Sequence, residues 1–173
     1  MTQKQKIVPH LWFDKEANEA AEFYVSAFGR PSKILNKTTL QNTPSGDTEI
    51  ISFKLLDTQF MSMSAGPLFT FNPSVSFFVN FDASKQDNTR KNLDRLWDKL
   101  IDGGKALMEL GEYPFSKHYG WLQDKYGISW QIIPWGMQKL MENKDQKKVD
   151  RVTRAFLQMK KIDLEKLERA AAS

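Results

Sequence analysis

Cysteine is absent from the 173 residues of this chain, and histidine occurs only twice, as His10 and His118. Without cysteine the protein cannot form disulfides, zinc ribbons, iron–sulfur centres or thiol nucleophiles. Because imidazoles are so few, any metal site would have to rely mainly on carboxylates.

Long apolar runs are missing as well. No stretch approaches the roughly 18 residues that a membrane-spanning helix needs. The first apolar segment, residues 7–13, ends at Asp14 and is too short for the apolar region of a secretory leader. These absences predict a cytoplasmic protein that has no membrane partner.

The formal charge of +4 is confined to the last part of the chain. Residues 1–135 carry 15 basic and 15 acidic side chains, whereas residues 136–173 carry 10 and 6. Of the 21 aromatic residues, only Phe156 lies beyond Trp135. This distribution predicts a folded core over residues 1–135 and a helical extension over residues 136–173. Apolar residues recur at helical spacing in the extension, so its lysines are interpreted as a solvated face and no nucleic-acid partner is predicted.

Hydrophobic periodicity predicts one order of elements in the first part of the chain. Residues 6–13 alternate as a strand, and the stripe from Ala17 to Phe28 is typical of an amphipathic helix that ends at Gly29. Three further strands are predicted over residues 32–40, 49–56 and 59–65, with a polar loop at residues 43–47.

The same order then repeats. A strand is predicted over residues 75–81, a helix from about Ser84 to Ile101, and three strands over residues 105–110, 120–125 and 128–133. The fold class is therefore α+β, with two βαβββ modules at about residues 6–66 and 74–134. Each module alone would leave one sheet face bare, so we expect one curved, cup-like mixed sheet with the helices outside. The concave face of such a sheet is a natural ligand cavity.

Several segments carry a resemblance to a known family. They are residues 9–14 (PHLWFD), 19–24 (EAAEFY), 120–134 (GWLQDKYGISWQIIP) and the stretch around residues 156–163. Together they resemble the PhnB-like, or demethylubiquinone 3-methyltransferase-like, branch of the vicinal oxygen chelate superfamily, which includes glyoxalase I, bleomycin-resistance proteins and extradiol dioxygenases. The resemblance spans essentially the whole chain. It implies a glyoxalase/bleomycin-resistance-like domain over residues 1–135 and, because subunits of this family commonly pair, a homodimer.

The resemblance also implies where a metal would be held. In the superfamily a divalent ion usually takes one ligand from each of four strands, most often histidine or glutamate. The matching positions here are Val8, the segment from Ser62 to Ser64, Ser74 or Ser76, and Gln131. None is a carboxylate or an imidazole, and only His10, beside Val8, would bind a transition metal well. A catalytic ion generally needs about three good protein ligands, so no metal cofactor is predicted. A carboxylate from a loop or from a dimer partner could still complete a site.

Catalytic motifs of other classes are missing. Methyl transfer from S-adenosylmethionine usually requires a glycine-rich turn after the first strand of a parallel sheet, and no such turn follows residues 6–13. A Gly-x-Ser-x-Gly elbow is absent too. Methyl transfer is therefore not expected, no catalytic residue is predicted, and whether the protein is an enzyme stays open.

The remaining signal is a ligand pocket. Strand alternation predicts that aromatic and polar side chains face the cup together, namely His10, Trp12, Ser62, Ser64, Ser76, Phe78, Trp121 and Gln131. Such a lining suits a small hydrophobic or aromatic molecule. Alternatively, the aromatic residues simply fill the cup, and His10 is more often a hydrogen-bonded liner than a ligand. In the link between the modules, Pro67, Phe69 and Phe71 could form a lid or could be packing.

Two function hypotheses follow from this lining. The first is a metal-independent protein that binds a small molecule. The second is a metal-dependent lyase, isomerase or dioxygenase with an atypical ligand set.

Overall fold

A computed structural model describes most of the residues to position 134. The described residues are 5–81, 86–113 and 116–134, together with 145–147, 150, 151, 154 and 169. The chain divides into two compact units, Met1–Phe71 and Asn72–Ser173. Over the described residues up to position 134, each unit has one helix and one four-stranded mixed sheet in the order βαβββ, which confirms the predicted α+β class and the two modules.

The first unit contains the first module. Its elements are β1 (His10–Phe13), α1 (Ala17–Phe28), β2 (Lys33–Thr43), β3 (Gly46–Leu55) and β4 (Thr58–Ser64). The strand order is β1-β4-β3-β2, with β1 parallel to β4 and the other pairs antiparallel.

Helix α1 packs closely on one face of the first sheet. Its buried stripe consists mainly of alanines, and these small side chains allow the helix to approach the strands. Tyr24 is fully buried and stacks on Phe53 with 6.5 Å between ring centroids, and Phe53 stacks in turn on Phe60 at 5.6 Å. Alternate residues of β3 therefore face α1, and the residues between them lie on the face away from α1.

The second unit contains the second module. Its elements are β5 (Phe77–Phe81), α2 (Gln86–Ile101), β6 (Lys105–Tyr113), β7 (Ser116–Gln123) and β8 (Ser129–Pro134). The strand order is β5-β8-β7-β6, and β5 is parallel to β8. The topology of the first sheet is thus repeated.

Helix α2 covers one face of the second sheet through a buried stripe that includes Leu93, Leu96, Trp97 and Leu100. The ring of Trp97 lies directly over Gly120 of β7. In the register of the sheet Gly120 pairs with Ile132, and Ile132 pairs with Val79. These three residues therefore mark the face against which α2 packs.

The turn between β7 and β8 is organised by a buried aspartate. Oδ1 of Asp124 accepts hydrogen bonds from the backbone N–H groups of Tyr126 at 2.9 Å and Ile128 at 3.0 Å. Oδ2 accepts from the indole Nε1 of Trp130 at 2.8 Å. Gly127 has a φ of +88°, a conformation that suits glycine. This turn sets the register between β7 and β8.

The observed strands differ from the predicted ones mainly at their ends. Strand β1 begins at His10 rather than at residue 6, because Pro9 has no N–H to contribute to a ladder. The predicted loop at residues 43–47 is shorter, since β2 reaches Thr43 and β3 begins at Gly46. Positive φ values at Asn42 and Gly46 allow the chain to reverse within this short connection.

Few residues of the predicted extension are described. Positions 146, 147, 150, 151, 154 and 169 are helical, and the rest of residues 136–173 lies largely outside the described residues. The extension and the joint cup-like sheet stay predictions. Within the described part of the chain, no helix combines the length and apolar character that crossing a membrane requires.

Candidate functional site

The second module brings four of the predicted site residues together. Phe78 of β5 pairs with Gln131 of β8, and Gln131 pairs with Trp121 of β7. Ser76, which directly precedes β5, is hydrogen-bonded to Gln131. Because paired residues on neighbouring strands share a face, all four lie on the side of the sheet opposite α2. We call this side, defined by Ser76, Phe78, Tyr119, Trp121 and Gln131, the far face.

Hydrogen bonds fix the orientation of the polar groups on the far face. The hydroxyl of Tyr119 donates to Oε1 of Gln131 at 2.7 Å. Nε2 of Gln131 donates to Oγ of Ser76 at 2.6 Å. The indole Nε1 of Trp121 donates to Oγ of Ser129 at 2.7 Å. The amide of Gln131 and the ring of Trp121 therefore each have one preferred orientation.

Tyr119 is a site residue that the sequence analysis missed. It lies two positions before Trp121 on β7, so strand alternation places both on the same face. Burial raises the pKa of Tyr119, and the nearby Tyr113 raises it further. The two rings meet edge to face with 5.7 Å between centroids. Tyr119 is therefore a neutral hydrogen-bond donor at physiological pH.

Because its pKa is raised, Tyr119 is expected to make stability fall at alkaline pH. The unfolded chain releases the tyrosine proton near the ordinary pKa of about 10, whereas the folded chain holds it to higher pH. The stabilisation is complete below the unfolded pKa and is lost as the pH rises through the folded pKa. Denaturant unfolding from neutral pH to about pH 11 should show that the free energy of unfolding falls more steeply with pH for the native protein than for Tyr119→Phe, which cannot ionise at this position. Parallel profiles would contradict this assignment.

In the first module, His10 and Trp12 lie on the face away from α1. His10 is exposed and pairs with Met61, and Trp12 pairs with Met63. The indole Nε1 of Trp12 donates to the carbonyl oxygen of Gly66 at 2.8 Å, and its ring meets Phe69 edge to face at 5.1 Å. The segment after β4 thus already occupies part of the Trp12 surface.

The link between the modules packs on the first module. Phe71 meets Phe13 at 5.1 Å, and Phe69 contacts Trp12. Of the two alternatives for these residues, the structure shows packing. A surface pocket of about 550 Å³ beside them is lined by Ser45 and residues 65–68, and none of the predicted site residues belongs to its lining.

Ser62 and Ser64 do not lie on the ligand-facing side where they were predicted. Both lie on the face of β4 that packs against α1, opposite the side of Trp12. Oγ of Ser62, which is fully buried, donates to the carbonyl oxygen of Ala17 at 3.2 Å. Oγ of Ser64 accepts from the backbone N–H of Ala17 at 3.2 Å. The two hydroxyls hydrogen-bond the first residue of α1, whose amide has no partner within the helix, so the predicted placement on the ligand-facing side is wrong.

The donor groups do not fit a site for a divalent ion within the part of the chain that the structure describes. It contains no group of three or more His, Cys, Asp or Glu side chains that could hold a metal. The amide of Gln131 is engaged by Tyr119 and Ser76. Nε2 of His118 pairs with Asp94 at 2.9 Å. The neutral hydroxyl, amide and indole groups of the far face suit an organic ligand better than a cation.

Comparison with known proteins gives a consistent picture of the fold. A family model described as 3-demethylubiquinone-9 3-methyltransferase matches residues 5–133. The PhnB protein of Bacillus cereus is 38% identical, with a TM-score of 0.66, and the match covers 75% of this chain and 99% of that one. No match is found among curated proteins.

Two more distant structures share the fold alone. A protein from Pseudomonas aeruginosa is 20% identical, with a TM-score of 0.60 and coverage of 76% of this chain and 98% of that one. The fosfomycin resistance protein FosX from Listeria monocytogenes is 11% identical, with a TM-score of 0.53 and coverage of 76% and 94%.

Proposed function

This chain belongs to the 3-demethylubiquinone-9 3-methyltransferase family, the PhnB-like branch of the vicinal oxygen chelate superfamily, and we propose that it binds a small aromatic molecule on the far face of its second module. The observation that carries this proposal is an exposed aromatic ring beside fixed polar groups. Phe78 is 57% exposed, although it lies within a strand and next to the hydrogen-bonded Gln131. A ligand that covered this ring would remove apolar surface from water.

The dimensions of the far face suit such a ligand. Phe78, Gln131 and Trp121 lie on three adjacent strands, and neighbouring strands are about 4.8 Å apart. The two rings therefore flank the amide over a span of roughly 10 Å, which matches one or two fused aromatic rings. Trp121 is only half-buried, so part of its indole is available for stacking.

The proposal involves no metal. A metal-dependent lyase, isomerase or dioxygenase would need about three strong ligands, and the described residues contain no such set. Mn(II) is present in one FosX structure from Listeria monocytogenes, but that protein shares only the fold with this chain. The far face contributes neutral groups instead, and these support binding rather than metal-assisted chemistry.

Methyl transfer, the activity in the family's description, is not part of the proposal. A site for S-adenosylmethionine usually combines a parallel sheet with a glycine-rich turn after the first strand. Here the connection between β1 and α1, residues 14–16, contains no glycine. In each sheet two of the three strand pairs are antiparallel. The local structure therefore gives methyl transfer no support.

The same proposal includes a homodimer in the cytoplasm. Strand β2 is an edge strand of 11 residues in which most side chains are exposed. Edge strands carry unpaired backbone groups that proteins commonly cover, and a second subunit would provide such cover. The absence of cysteine is compatible with a reducing compartment.

Binding of an uncharged aromatic probe tests the proposal. N-phenyl-1-naphthylamine, whose fluorescence rises in apolar surroundings, should bind to the native protein. Phe78→Ala should weaken this binding by about 1–2 kcal/mol, since one face of the ligand loses its aromatic partner. Because Phe78 is 57% exposed, the substitution should leave the fold intact.

Phe69→Ala is the matched control. Phe69 is 60% exposed but packs on Trp12 in the first module, so its loss should leave the affinity for the probe unchanged. EDTA should also have no effect, because no ion holds the ligand. Equal losses in the two variants, or loss of binding in EDTA, would refute the proposed site.

A further inference from the structure

We propose that the natural ligand of the far face carries an uncharged acceptor oxygen, a carbonyl on an aromatic or apolar body, which Ser76 and Gln131 bind by donating hydrogen bonds. This inference rests on the proposed function and adds the chemical class of the ligand. It follows from the direction in which each hydrogen bond of the far face runs.

Tyr119 determines the orientation of the Gln131 amide. Burial keeps the phenol protonated, and it donates to Oε1 of Gln131 at 2.7 Å. The opposite end of the amide, Nε2, must then point toward Ser76, to which it donates at 2.6 Å. An amide flipped by 180° would turn Nε2 toward the phenol oxygen and leave the buried phenol proton without Oε1 as its acceptor, so the observed orientation is preferred.

The direction of these bonds leaves donors available. Oγ of Ser76 accepts from Gln131, so the serine's own proton points elsewhere, and no acceptor for it is found among the described residues. The second proton on Nε2 of Gln131 likewise has no acceptor among the described residues. Two donors on adjacent, mutually hydrogen-bonded side chains are therefore available, and an oxygen with two lone pairs can accept from both.

The absence of charge on these groups of the far face favours a ligand oxygen that is also uncharged. The phenol, the hydroxyl and the amide are all uncharged, and so are the flanking rings of Phe78 and Trp121. A carboxylate placed there would lose hydration without gaining an opposite charge. A carbonyl loses much less hydration, and the two hydrogen bonds replace what it loses.

The aromatic neighbours define the rest of the ligand. Gln131 pairs with Phe78 on one side and with Trp121 on the other. An oxygen held at the amide would therefore carry its substituent between two rings. An aryl ketone has this combination of a flat apolar body and one acceptor oxygen.

Displacement of N-phenyl-1-naphthylamine by small probes tests the inference. Acetophenone supplies the ring and the carbonyl, ethylbenzene supplies the ring without the oxygen, and benzoate carries a charged oxygen in its place. Acetophenone should bind about 5-fold to 30-fold more tightly than ethylbenzene, the range expected for one to two net neutral hydrogen bonds. Benzoate should bind more weakly than acetophenone.

Ser76→Ala should remove most of the advantage of acetophenone and leave the binding of ethylbenzene unchanged. Ser74→Ala is the matched control, because the hydroxyl of Ser74 is exposed and is engaged by Asn72. Tyr119→Phe should have an effect similar to that of Ser76→Ala, since the amide of Gln131 is then free to turn its oxygen toward the ligand. A purely structural role of Tyr119 would instead weaken all the aromatic probes equally.

The outcomes separate the two proposals. If N-phenyl-1-naphthylamine binds and Phe78→Ala weakens it, but acetophenone and ethylbenzene bind equally, the carbonyl inference is wrong and the proposed function stands. Tighter binding of benzoate than of acetophenone would likewise contradict the inference that the ligand oxygen is uncharged, and the proposed function would still stand. If none of the aromatic probes binds, both proposals fail.

Discussion

Replacing Gly120 with alanine is expected to lower the free energy of unfolding by about 3 kcal/mol. A Cβ at this position would clash with one atom of the Trp97 ring and would lie 2.9 Å from a second. Trp97 is only 6% exposed, and its rigid ring cannot yield as the end of a flexible side chain could. Helix α2 would have to move away from the sheet. Denaturant unfolding monitored by circular dichroism measures the loss.

Gly111→Ala is the matched control for this prediction. Gly111 lies in β6 of the same sheet, and the nearest atom to its added Cβ is the carbonyl oxygen of Glu109 at 4.0 Å. The change should stay within about 0.5 kcal/mol, as for most substitutions without a clash. Similar losses in the two variants would show that the contact between Trp97 and Gly120 is not responsible.

Asp124→Ala is expected to cost about 4 kcal/mol. The carboxylate accepts hydrogen bonds from two backbone amides of its own turn and from the indole of Trp130. Ile128 and Trp130 are 3% and 2% exposed, so water cannot easily replace the lost acceptor. Thermal and denaturant unfolding should both show the loss, and the register of β7 against β8 should loosen.

Two further variants separate the lost hydrogen bonds from the lost charge. Asp124→Asn keeps an oxygen for the backbone amides but turns an N–H toward Trp130, so an intermediate loss is expected. Asp57→Ala removes a carboxylate whose side chain is 99% exposed and lies 3.8 Å from Lys54, and it should change stability by less than about 0.5 kcal/mol. A loss of under about 1 kcal/mol in Asp124→Ala would contradict the anchoring role, since it is smaller than one buried unpaired donor costs.

Periodicity predicted most elements because their two faces differ strongly in polarity. The stripe of α1 and its end at Gly29 agree with the observed helix, Ala17–Phe28. Along β5 and β8 the alternation also predicted that Phe78 and Gln131 share a face, and the register confirms it. Where one face of an element is apolar and the other is mixed, the order of residues alone is sufficient to predict the element and the residues that share each face.

Strand β4 shows where that reasoning fails. Its residues alternate between methionine and serine, as in Met61 and Ser62, so neither face is plainly the buried one. Alternation correctly groups the two serines on one face but does not say which face contacts a helix. The packing of α1 decided it, because Ser62 and Ser64 supply hydrogen bonds to Ala17.

The amino-acid sequence was sufficient to predict the class of fold, the order of elements and the common face of Phe78, Trp121 and Gln131, because these depend on local alternation. The hydrogen bonds within that face could not be predicted in this way. The hydrogen bond from Tyr119 to Gln131 joins residues 12 positions apart, and the bond from Gln131 to Ser76 joins residues 55 positions apart. Such contacts depend on the register between strands and on the parallel pairing of β5 with β8, two strands that are far apart in the sequence. No local pattern of side chains encodes either of them.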